Sequence, residues 1–469
     1  MFMAVLPATR MPDAIGSTGR RSFTAILAAV LLALLAVHVG FRLLIDGYGY
    51  RIGAISATCA PLYAYVRPHF KGWLVLPLLW FVLLAVLLRR TAVLRTTTPL
   101  LFMLFLYGVT LGTIVLVAAL DGGFERIVAP YTRLDLEYSG GVAFVADPLA
   151  FLRDYVSLAP RLPMHCQNHP PGAVLFLWLV SAPFGGSVAA MAWITVLIAA
   201  GMPLLVYLAA RGLLTELWAR RSAILLLACP SYVLFSATSM DAVFGVLLAG
   251  GIVAVIVACP ERCARYGVLF LGGFCLGVAG LMTYTVAVAL VWIGVYLYLA
   301  GNLRPRVLAS IAAGAVLPTV GAVVLGYRPV EVFLQCLGAH HEIMRGTAHD
   351  DPVRWLALAV GNATAFGTGL GVSFSAVAVF LLYRAGSVSA HSRILWACLM
   401  TVLVAAVAPV YTLEVERIWL FLTVPFVLGV AVAASARLSE AARLTGWRFL
   451  LWTGLTQTLL IEIFLETYW

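Results

Sequence analysis

The chain has 469 residues, of which 63% are hydrophobic and only 11% are charged, whereas soluble globular proteins carry roughly 25% charged residues. This composition excludes an ordinary soluble protein. The net charge of +10 comes mostly from arginines scattered among short polar segments. A nucleic-acid groove needs a basic stripe with interleaved aromatic residues, which the sequence lacks, so we expect no nucleic-acid partner.

The apolar runs predict an all-α polytopic membrane protein with about 13 transmembrane helices, because a helix needs roughly 20 apolar residues to cross a bilayer. In chain order the predicted helices lie at about 22–45, 73–88, 97–119, 187–210, 222–239, 241–258, 268–283, 284–300, 307–326, 356–382, 394–411, 418–434 and 449–467. Residues 1–469 then form a single transmembrane domain. The apolar stretch 173–184 is short for a span, and we interpret it as re-entrant or interfacial rather than spanning.

Arginines between the predicted helices indicate the orientation of the chain. They fall at residues 10, 20–21, 89–95, 211–221, 262–265, 304–306, 384–393 and 437–448. The positive-inside rule places these segments, and with them the N-terminus, in the cytoplasm. The segments 120–172 and 327–355 then form two long extracytoplasmic loops, and we expect short juxtamembrane helices within the first.

The first of these loops contains two carboxylates, Asp135 and Glu137, followed by Tyr138 and by glycines at 140 and 141. The carboxylates share a side only if the segment is extended or turned, and the glycines favour a turn and close approach by a ligand. Two carboxylates at a membrane surface suit a general base or a divalent-cation site. Ordinary solvated loop carboxylates are the alternative interpretation.

Two histidines, His165 and His169, close the same loop just before Pro170. Their spacing would make a metal pair on a helix, but the proline favours an extended conformation at His169. Hydrogen bonding to a ligand, metal ligation and simple loop packing therefore all stay open.

Further polar residues fall at predicted outer helix ends. Asp241 follows the segment Ser236–Met240 and either caps the next helix or contacts a ligand. The second loop contains His340, His341 and Arg345, and Glu416 and Arg417 precede a late helix. Because a guanidinium matches phosphate oxygens with two parallel hydrogen bonds, Arg417 could hold a lipid phosphate. Its alternative is an ion pair with Glu414 or Glu416.

Together these features resemble the GT-C superfamily of polyprenyl-phosphate-sugar-dependent membrane glycosyltransferases, in its protein-mannosyltransferase-like branch. The features are the many helices, the acidic outer loop, the sequence His169-Pro-Pro-Gly, an outer Asp241 after a helix containing Pro230, and Glu414-x-Glu-Arg. The chain departs from that family in two respects. Its acidic loop follows the third predicted helix rather than the first, and its carboxylates are separated by one residue rather than adjacent.

The resemblance implies transfer of a sugar, with inversion, from a polyprenyl-phosphate donor to a glycan, glycolipid or protein acceptor. Asp135 would be the preferred catalytic base, with Glu137 as the second catalytic candidate. The implied substrate-binding residues are Tyr138, His165, His169, Asp241, His340, His341, Arg345, Glu416 and Arg417. Many members of the superfamily need no metal, although a divalent cation stays open here.

The resemblance also implies a bacterial plasma (inner) membrane location, with the active site on the extracytoplasmic face. A multi-pass transporter or flippase of a lipid-linked or polar substrate is the alternative. Transporters place ionisable groups near the middle of the membrane on broken helices and often contain inverted repeats. The sequence shows no repeat of this kind.

Overall fold

A computed structural model describes residues 17–48, 62–68, 72–89, 91–259, 265–344, 352–408, 411 and 414–467. Helices account for 82% of it, which confirms an almost wholly α-helical membrane protein. The helices of ten or more residues are Ser17–Tyr48, Val75–Arg89, Pro99–Ala118, Pro148–Leu158, Gly172–Ser181, Val188–Ala199, Met202–Arg211, Glu216–Leu225, Asp241–Ala258, Tyr266–Gly280, Val286–Leu299, Pro305–Val324, Pro329–Met344, Pro352–Leu370, Val372–Ala385, Arg393–Val407, Thr423–Arg437 and Glu440–Phe464.

Six of the described helical segments are long and apolar enough to cross a membrane. They are Ser22–Leu44, Pro99–Asp121, Val188–Arg211, Asp241–Ala258, Pro305–Val324 and Leu420–Arg437. A bent pair, Pro352–Leu370 with Val372–Ala385, would be the seventh, and five further apolar helices are shorter. The predicted count of about 13 is therefore not confirmed.

Two predicted helices are interrupted. The predicted helix 222–239 divides into Glu216–Leu225, the 3-10 turn Leu226–Ala228 and Pro230–Phe235, because the ring of Pro230 removes a backbone donor and clashes with the preceding turn. The predicted helix 356–382 bends by 105° at Gly371. Gly371 has φ +111°, a backbone conformation that residues with a side chain rarely adopt.

The segment 120–172 forms a chain of short helices, as the sequence predicts. These are Glu125–Val128, Tyr138–Gly141, Pro148–Leu158 and Met164–Asn168. The second predicted loop begins with the helix Pro329–Met344, which packs against Met164–Asn168 and Pro148–Leu158. The two segments thus lie at the same end of the molecule, while their placement on one side of the membrane stays a prediction.

Next to these helices, the apolar stretch 173–184 forms the helix Gly172–Ser181 and a 3-10 turn, Ala182–Phe184. It is shorter than the candidate spans. Backbone N–H of Gly172 donates to the carbonyl oxygen of Leu281 at 2.9 Å. A re-entrant or interfacial position for this helix stays a prediction.

A short antiparallel strand pair joins distant parts of the chain, and the sequence pattern does not predict it. Ala64–Val66 pairs with Leu465–Thr467, so the predicted helix 449–467 ends as a strand. An ion pair of 2.7 Å between Arg67 and Glu466 extends the contact.

Candidate active site

The loop that carries the predicted catalytic residues is fixed by backbone hydrogen bonds between its two halves. The N–H of Met164 donates to the carbonyl of Asp135 at 3.3 Å, and the N–H of His165 donates to the carbonyl of Leu136 at 3.0 Å. Space beside the glycines is filled by protein, since a Cβ on Gly140 would lie 1.8 Å from the carbonyl oxygen of Leu134. Gly140 therefore permits close packing within the loop rather than the approach of a ligand.

The hydroxyl of Tyr155 supports the same loop from beneath. It lies within hydrogen-bond distance of the carbonyl oxygen of Cys166, and 2.8 Å from that of His169. Tyr155 is fully buried. It thereby positions the backbone at Cys166, next to His165, and at His169 itself.

The two predicted catalytic carboxylates have different surroundings. Asp135 is exposed, whereas Glu137 is buried. One oxygen of Glu137, Oε2, lies 3.4 Å from Nδ1 of His165. The other, Oε1, is buried and has no hydrogen-bond partner among the residues that the structure describes. The structure thus brings Glu137, and not Asp135, together with the predicted histidines.

Aromatic rings surround Tyr138, the residue that follows this carboxylate. The ring of Tyr138 lies 5.5 Å from that of His165, 5.6 Å from that of His169 and 5.9 Å from that of Phe244. Burial raises the pKa of Tyr138 well above its ordinary value, so the phenol stays protonated. Tyr138 therefore contributes an apolar face and a hydroxyl donor.

His169 has the extended backbone that its position before Pro170 predicts, with φ −131° and ψ 156°. Burial, together with a smaller effect of the neighbouring His165, lowers the pKa of His169 to about 3. The imidazole is therefore neutral at physiological pH. Its Nδ1 is buried without a hydrogen-bond partner in the described part of the chain.

Arg417 pairs with two carboxylates, that of Asp241 at the start of the helix Asp241–Ala258 and that of Glu414. Its Nη1 lies 2.7 Å from Oδ2 of Asp241 and donates to Ser239 at 3.3 Å, and its Nη2 lies 2.7 Å from Oε2 of Glu414. Burial acts to lower the pKa of Arg417, but the charges of Asp241 and Glu414 outweigh it and raise that pKa. The arginine stays charged and pairs with Glu414, not Glu416.

Asp241 does not cap its helix, so the first of its two predicted roles is wrong. The N-cap position is Met240, and Asp241 lies in the first turn. The hydroxyl of Ser239 donates to Oδ2 of Asp241 at 2.7 Å and accepts from its backbone N–H at 3.1 Å. Ser239 and Arg417 together fix the direction of this carboxylate.

Glu414 has a strained backbone, with φ 63° and ψ 8°. It is the only non-glycine residue with a positive φ in the part of the chain that the structure describes. Such a conformation costs about 1–3 kcal/mol and persists where the surroundings impose it. The ion pair with Arg417 and the hydrogen bond from the N–H of Ile418 to the Glu414 carbonyl, 3.0 Å long, impose it here.

Glu416 lies apart from this network. Its Oε1 accepts a 3.0 Å hydrogen bond from the backbone N–H of Tyr63, and its Oε2 is buried without a partner in the described chain. Burial raises the pKa of Glu416 to about 7. These contacts are those of a residue that joins two segments of the chain.

The two groups of residues meet at Phe244. Phe244 belongs to the helix that starts with Asp241, and its ring stacks near His169 at 6.5 Å while touching Tyr138. The charge of Glu137 also raises the pKa of Arg417. The predicted residues Glu137, Tyr138, His165, His169, Asp241 and Arg417 therefore form one cluster.

The remaining predicted residues lie at or beyond the edge of the cluster. His340, on the helix Pro329–Met344, is half-buried and lowers the pKa of His169. His341 is exposed, and Arg345 lies outside the described residues. No group of three or more His, Cys, Asp or Glu residues in the described ranges could hold a metal ion, so the question of a divalent cation stays open.

The family comparison covers the part of the chain that follows the acidic loop. Residues 168–327 match the model of a family described as dolichyl-phosphate-mannose-protein mannosyltransferase, which is of the GT-C type. The match covers about a third of the chain and supports membership of the GT-C superfamily. The matched part contains His169 and Asp241, while Glu137 and Arg417 lie outside it. No curated protein and no solved structure matches the chain.

Two residues of the site, and one outside it, were not singled out by the sequence. Ser239 and Tyr155 position other side chains, and Tyr63 reaches Glu416 from a remote segment. A serine two residues before an aspartate at a helix start is a recognisable turn signal. Nothing in the sequence indicates the contacts of Tyr155 and Tyr63, because both depend on tertiary packing.

Proposed function

We propose that this membrane glycosyltransferase moves a sugar from a polyprenyl-phosphate donor to a hydroxyl acceptor on a lipid, glycan or protein. Glu137 is the general base in this proposal. The observation that carries it is the environment of Glu137: a buried carboxylate, with one oxygen beside His165 and the other without a partner among the described residues. An acceptor hydroxyl supplies the hydrogen-bond donor that the second oxygen lacks.

The proposed reaction is a single displacement. The acceptor oxygen attacks the anomeric carbon while its proton passes to Oε1 of Glu137. The bond between that carbon and the phosphate oxygen breaks, and the lipid phosphate leaves with the bonding electrons, so the configuration inverts. His165 holds Oε2 and keeps the other oxygen directed at the acceptor. General-base catalysis of this kind contributes roughly 10²–10⁴-fold to the rate.

Arg417 is a positioning residue in this proposal. Because Asp241 and Glu414 neutralise its charge at 2.7 Å each, it fixes Asp241 at the edge of the site. In the second version of the proposal, Arg417 binds the lipid phosphate of the donor, as the sequence suggested. The two versions differ in what a lysine at this position would do.

A transporter is less well supported than a transferase by the position of these groups. Asp241 begins its candidate span, and Glu414 and Arg417 directly precede the span Leu420–Arg437. The charged residues of the cluster thus lie at helix ends. Transporters instead place ionisable groups near the middle of the membrane.

Glu137→Gln tests the proposal, because the amide keeps the size of the side chain but cannot take a proton. With purified enzyme and a panel of polyprenyl-phosphate sugars, we expect transfer to fall by about 10²-fold or more while donor binding stays unchanged. Asp135→Asn should cost little, since Asp135 is exposed. Asp154→Asn, an exposed acid in the same loop, is the matched control.

The opposite pattern, with Asp135→Asn inactive and Glu137→Gln active, would move the base to Asp135. Full activity in both variants would refute a carboxylate base in this loop. The transporter would be favoured by two results together: the wild type transfers no sugar, and Glu137→Gln still transports a lipid-linked sugar across the membrane.

A further inference from the structure

A group of buried hydrogen-bond donors without acceptors lies far from the candidate active site. It consists of Arg221, Trp218 and Arg443. Arg221 is only 3% exposed. Its guanidinium lies 4.6 Å from the centre of the Trp218 ring, and that of Arg443 lies 4.9 Å from the same ring. One indole thus brings two arginines together.

Four nitrogen atoms of this group are buried and have no hydrogen-bond partner among the residues that the structure describes. They are Nε1 of Trp218, Nε and Nη1 of Arg221 and Nε of Arg443. Every one of them is a donor. Leaving such donors buried and unpaired is unfavourable, so the group suits a ligand rich in acceptor oxygens.

The neighbouring Arg220 shows that this part of the fold can satisfy an arginine. Its Nε donates to Glu216 at 2.7 Å, its Nη1 to Leu94 and Thr97 at 3.1 and 2.9 Å, and its Nη2 to Thr97 at 2.8 Å. Arg220 and Arg221 are adjacent and both are buried. The guanidinium of Arg221 instead lies against the rings of Trp218 and Trp447.

The surroundings are also strongly cationic. Burial lowers the pKa of Arg221, the charge of Glu440 raises it, and the charges of Arg95, Arg448 and Arg443 lower it. Glu440 is mostly exposed and 3.8 Å from Arg443. A ligand that suits this group is therefore an anion, because a neutral acceptor would leave the positive charge of the arginines uncompensated.

The group occupies the end of the molecule opposite the candidate active site. Arg220 contacts Thr97, just before the span Pro99–Asp121. The other end of that span, Asp121, pairs with Arg126 in the loop that carries Glu137. The positive-inside rule predicts that the arginine-rich end faces the cytoplasm, where membranes present anionic lipid headgroups.

We propose that Arg221, Arg443 and Trp218 bind the phosphate of an anionic lipid headgroup. Two guanidinium groups supply paired donors that match phosphate oxygens. Trp218, and Trp447 at 6.0 Å from the Arg221 guanidinium, provide the aromatic surface typical of headgroup depth. The site is separate from sugar transfer and does not depend on the proposed function.

The test uses the full chain in nanodiscs of either phosphatidylcholine alone or phosphatidylcholine with phosphatidylglycerol. Phosphatidylglycerol should raise the apparent unfolding temperature of the wild type, and native mass spectrometry should find it retained. Arg221→Gln and Arg443→Gln should weaken this binding by about tenfold or more, the effect of losing a charge-assisted hydrogen bond. Trp218→Phe, which removes one donor and no charge, should weaken it less.

Arg384→Gln is the matched control, because Arg384 is exposed and its backbone carbonyl accepts from Arg437 at the same end of the molecule. It should bind phosphatidylglycerol like the wild type. Equal binding by all variants, or no effect of phosphatidylglycerol on the wild type, would overturn the proposal. If Arg221→Gln fails to fold, Arg443→Gln decides the question, because Arg443 is partly exposed.

The source of the phosphate is distinguished by a separate titration. Inorganic phosphate is added to the wild type in phosphatidylcholine nanodiscs. No stabilisation at millimolar phosphate would support the lipid. Stabilisation equal to that by phosphatidylglycerol, and lost in Arg443→Gln, would overturn the assignment to a lipid in favour of a soluble phosphate.

Discussion

The surroundings of Glu416 lead to a prediction about the stability of the protein. Its outcome also decides whether Glu416 contacts substrate. Burial raises its pKa to about 7 from an ordinary value of 4.5. Glu416→Gln removes the ionisation and keeps an oxygen that can accept from the Tyr63 N–H. The substitution should therefore leave the contact between the two segments in place.

The sign follows from proton linkage. The folded state holds the proton of Glu416 more tightly than the unfolded state, so its contribution to stability is complete below pH 4.5 and is lost as the pH rises to about 7. A difference of about 2.5 between the two pKa values corresponds to about 3 kcal/mol. Relative to the wild type, Glu416→Gln should gain about that much stability between pH 4.5 and 7 and nothing more above it.

The assay is the apparent unfolding temperature in detergent across this pH range, compared between the variant and the wild type. Glu331→Gln is the control, because Glu331 is exposed and pairs with an exposed residue, Arg328. It should follow the wild type at every pH. A constant difference between Glu416→Gln and the wild type across the range would refute the argument. Loss of donor use without a change in pH dependence would instead support the substrate contact that the sequence suggested.

Three further outcomes are expected. A lysine at position 417 cannot contact both carboxylates with separate nitrogens, so Arg417→Lys should lose about 3 kcal/mol of stability together with transfer activity. Weaker use of the donor at normal stability would instead favour binding of the lipid phosphate by Arg417. Gly369→Ala would place a Cβ 2.0 Å from Oγ of Ser231 and should cost about 1–3 kcal/mol in thermal unfolding, partly restored by Ser231→Ala. The orientation is tested in intact cells with a protein in which Cys59 and Cys263 have been replaced. Ser157 and Ser387 are both exposed. A cysteine at position 157 should react with a membrane-impermeant thiol reagent, and a cysteine at position 387 should not. The reverse labelling would invert the predicted orientation.

Much of the architecture was predictable because it depends on local chemistry. Apolar runs and prolines dictate helices and breaks, and the extended conformation of His169 follows directly from Pro170. The interruption at Pro230 was equally local, but the apolar run around it concealed the break. Length and hydrophobicity alone therefore overstate the number of continuous helices.

The site was predictable in composition but not in arrangement. The sequence identified both Asp135 and Glu137, yet only folding decides that one faces solvent and the other faces His165. The sequence offered either Glu414 or Glu416 as the ion-pair partner of Arg417, and in the structure Glu414 is the one that pairs with it. Asp241, more than a hundred residues away, is the second partner, and such pairs follow from helix packing that no local pattern encodes.

The strand pair between Ala64–Val66 and Leu465–Thr467 has a consequence for how the protein is made. Arg67 and Glu466 are separated by 399 residues, and ribosomes add roughly 5–20 residues per second. The first strand therefore waits about 20–80 s for its partner at that rate, and throughout this time its edge is open to other chains. Insertion of the helices and pairing of the two strands are thus separate events, and the strands can pair only after Leu465–Thr467 has been synthesised.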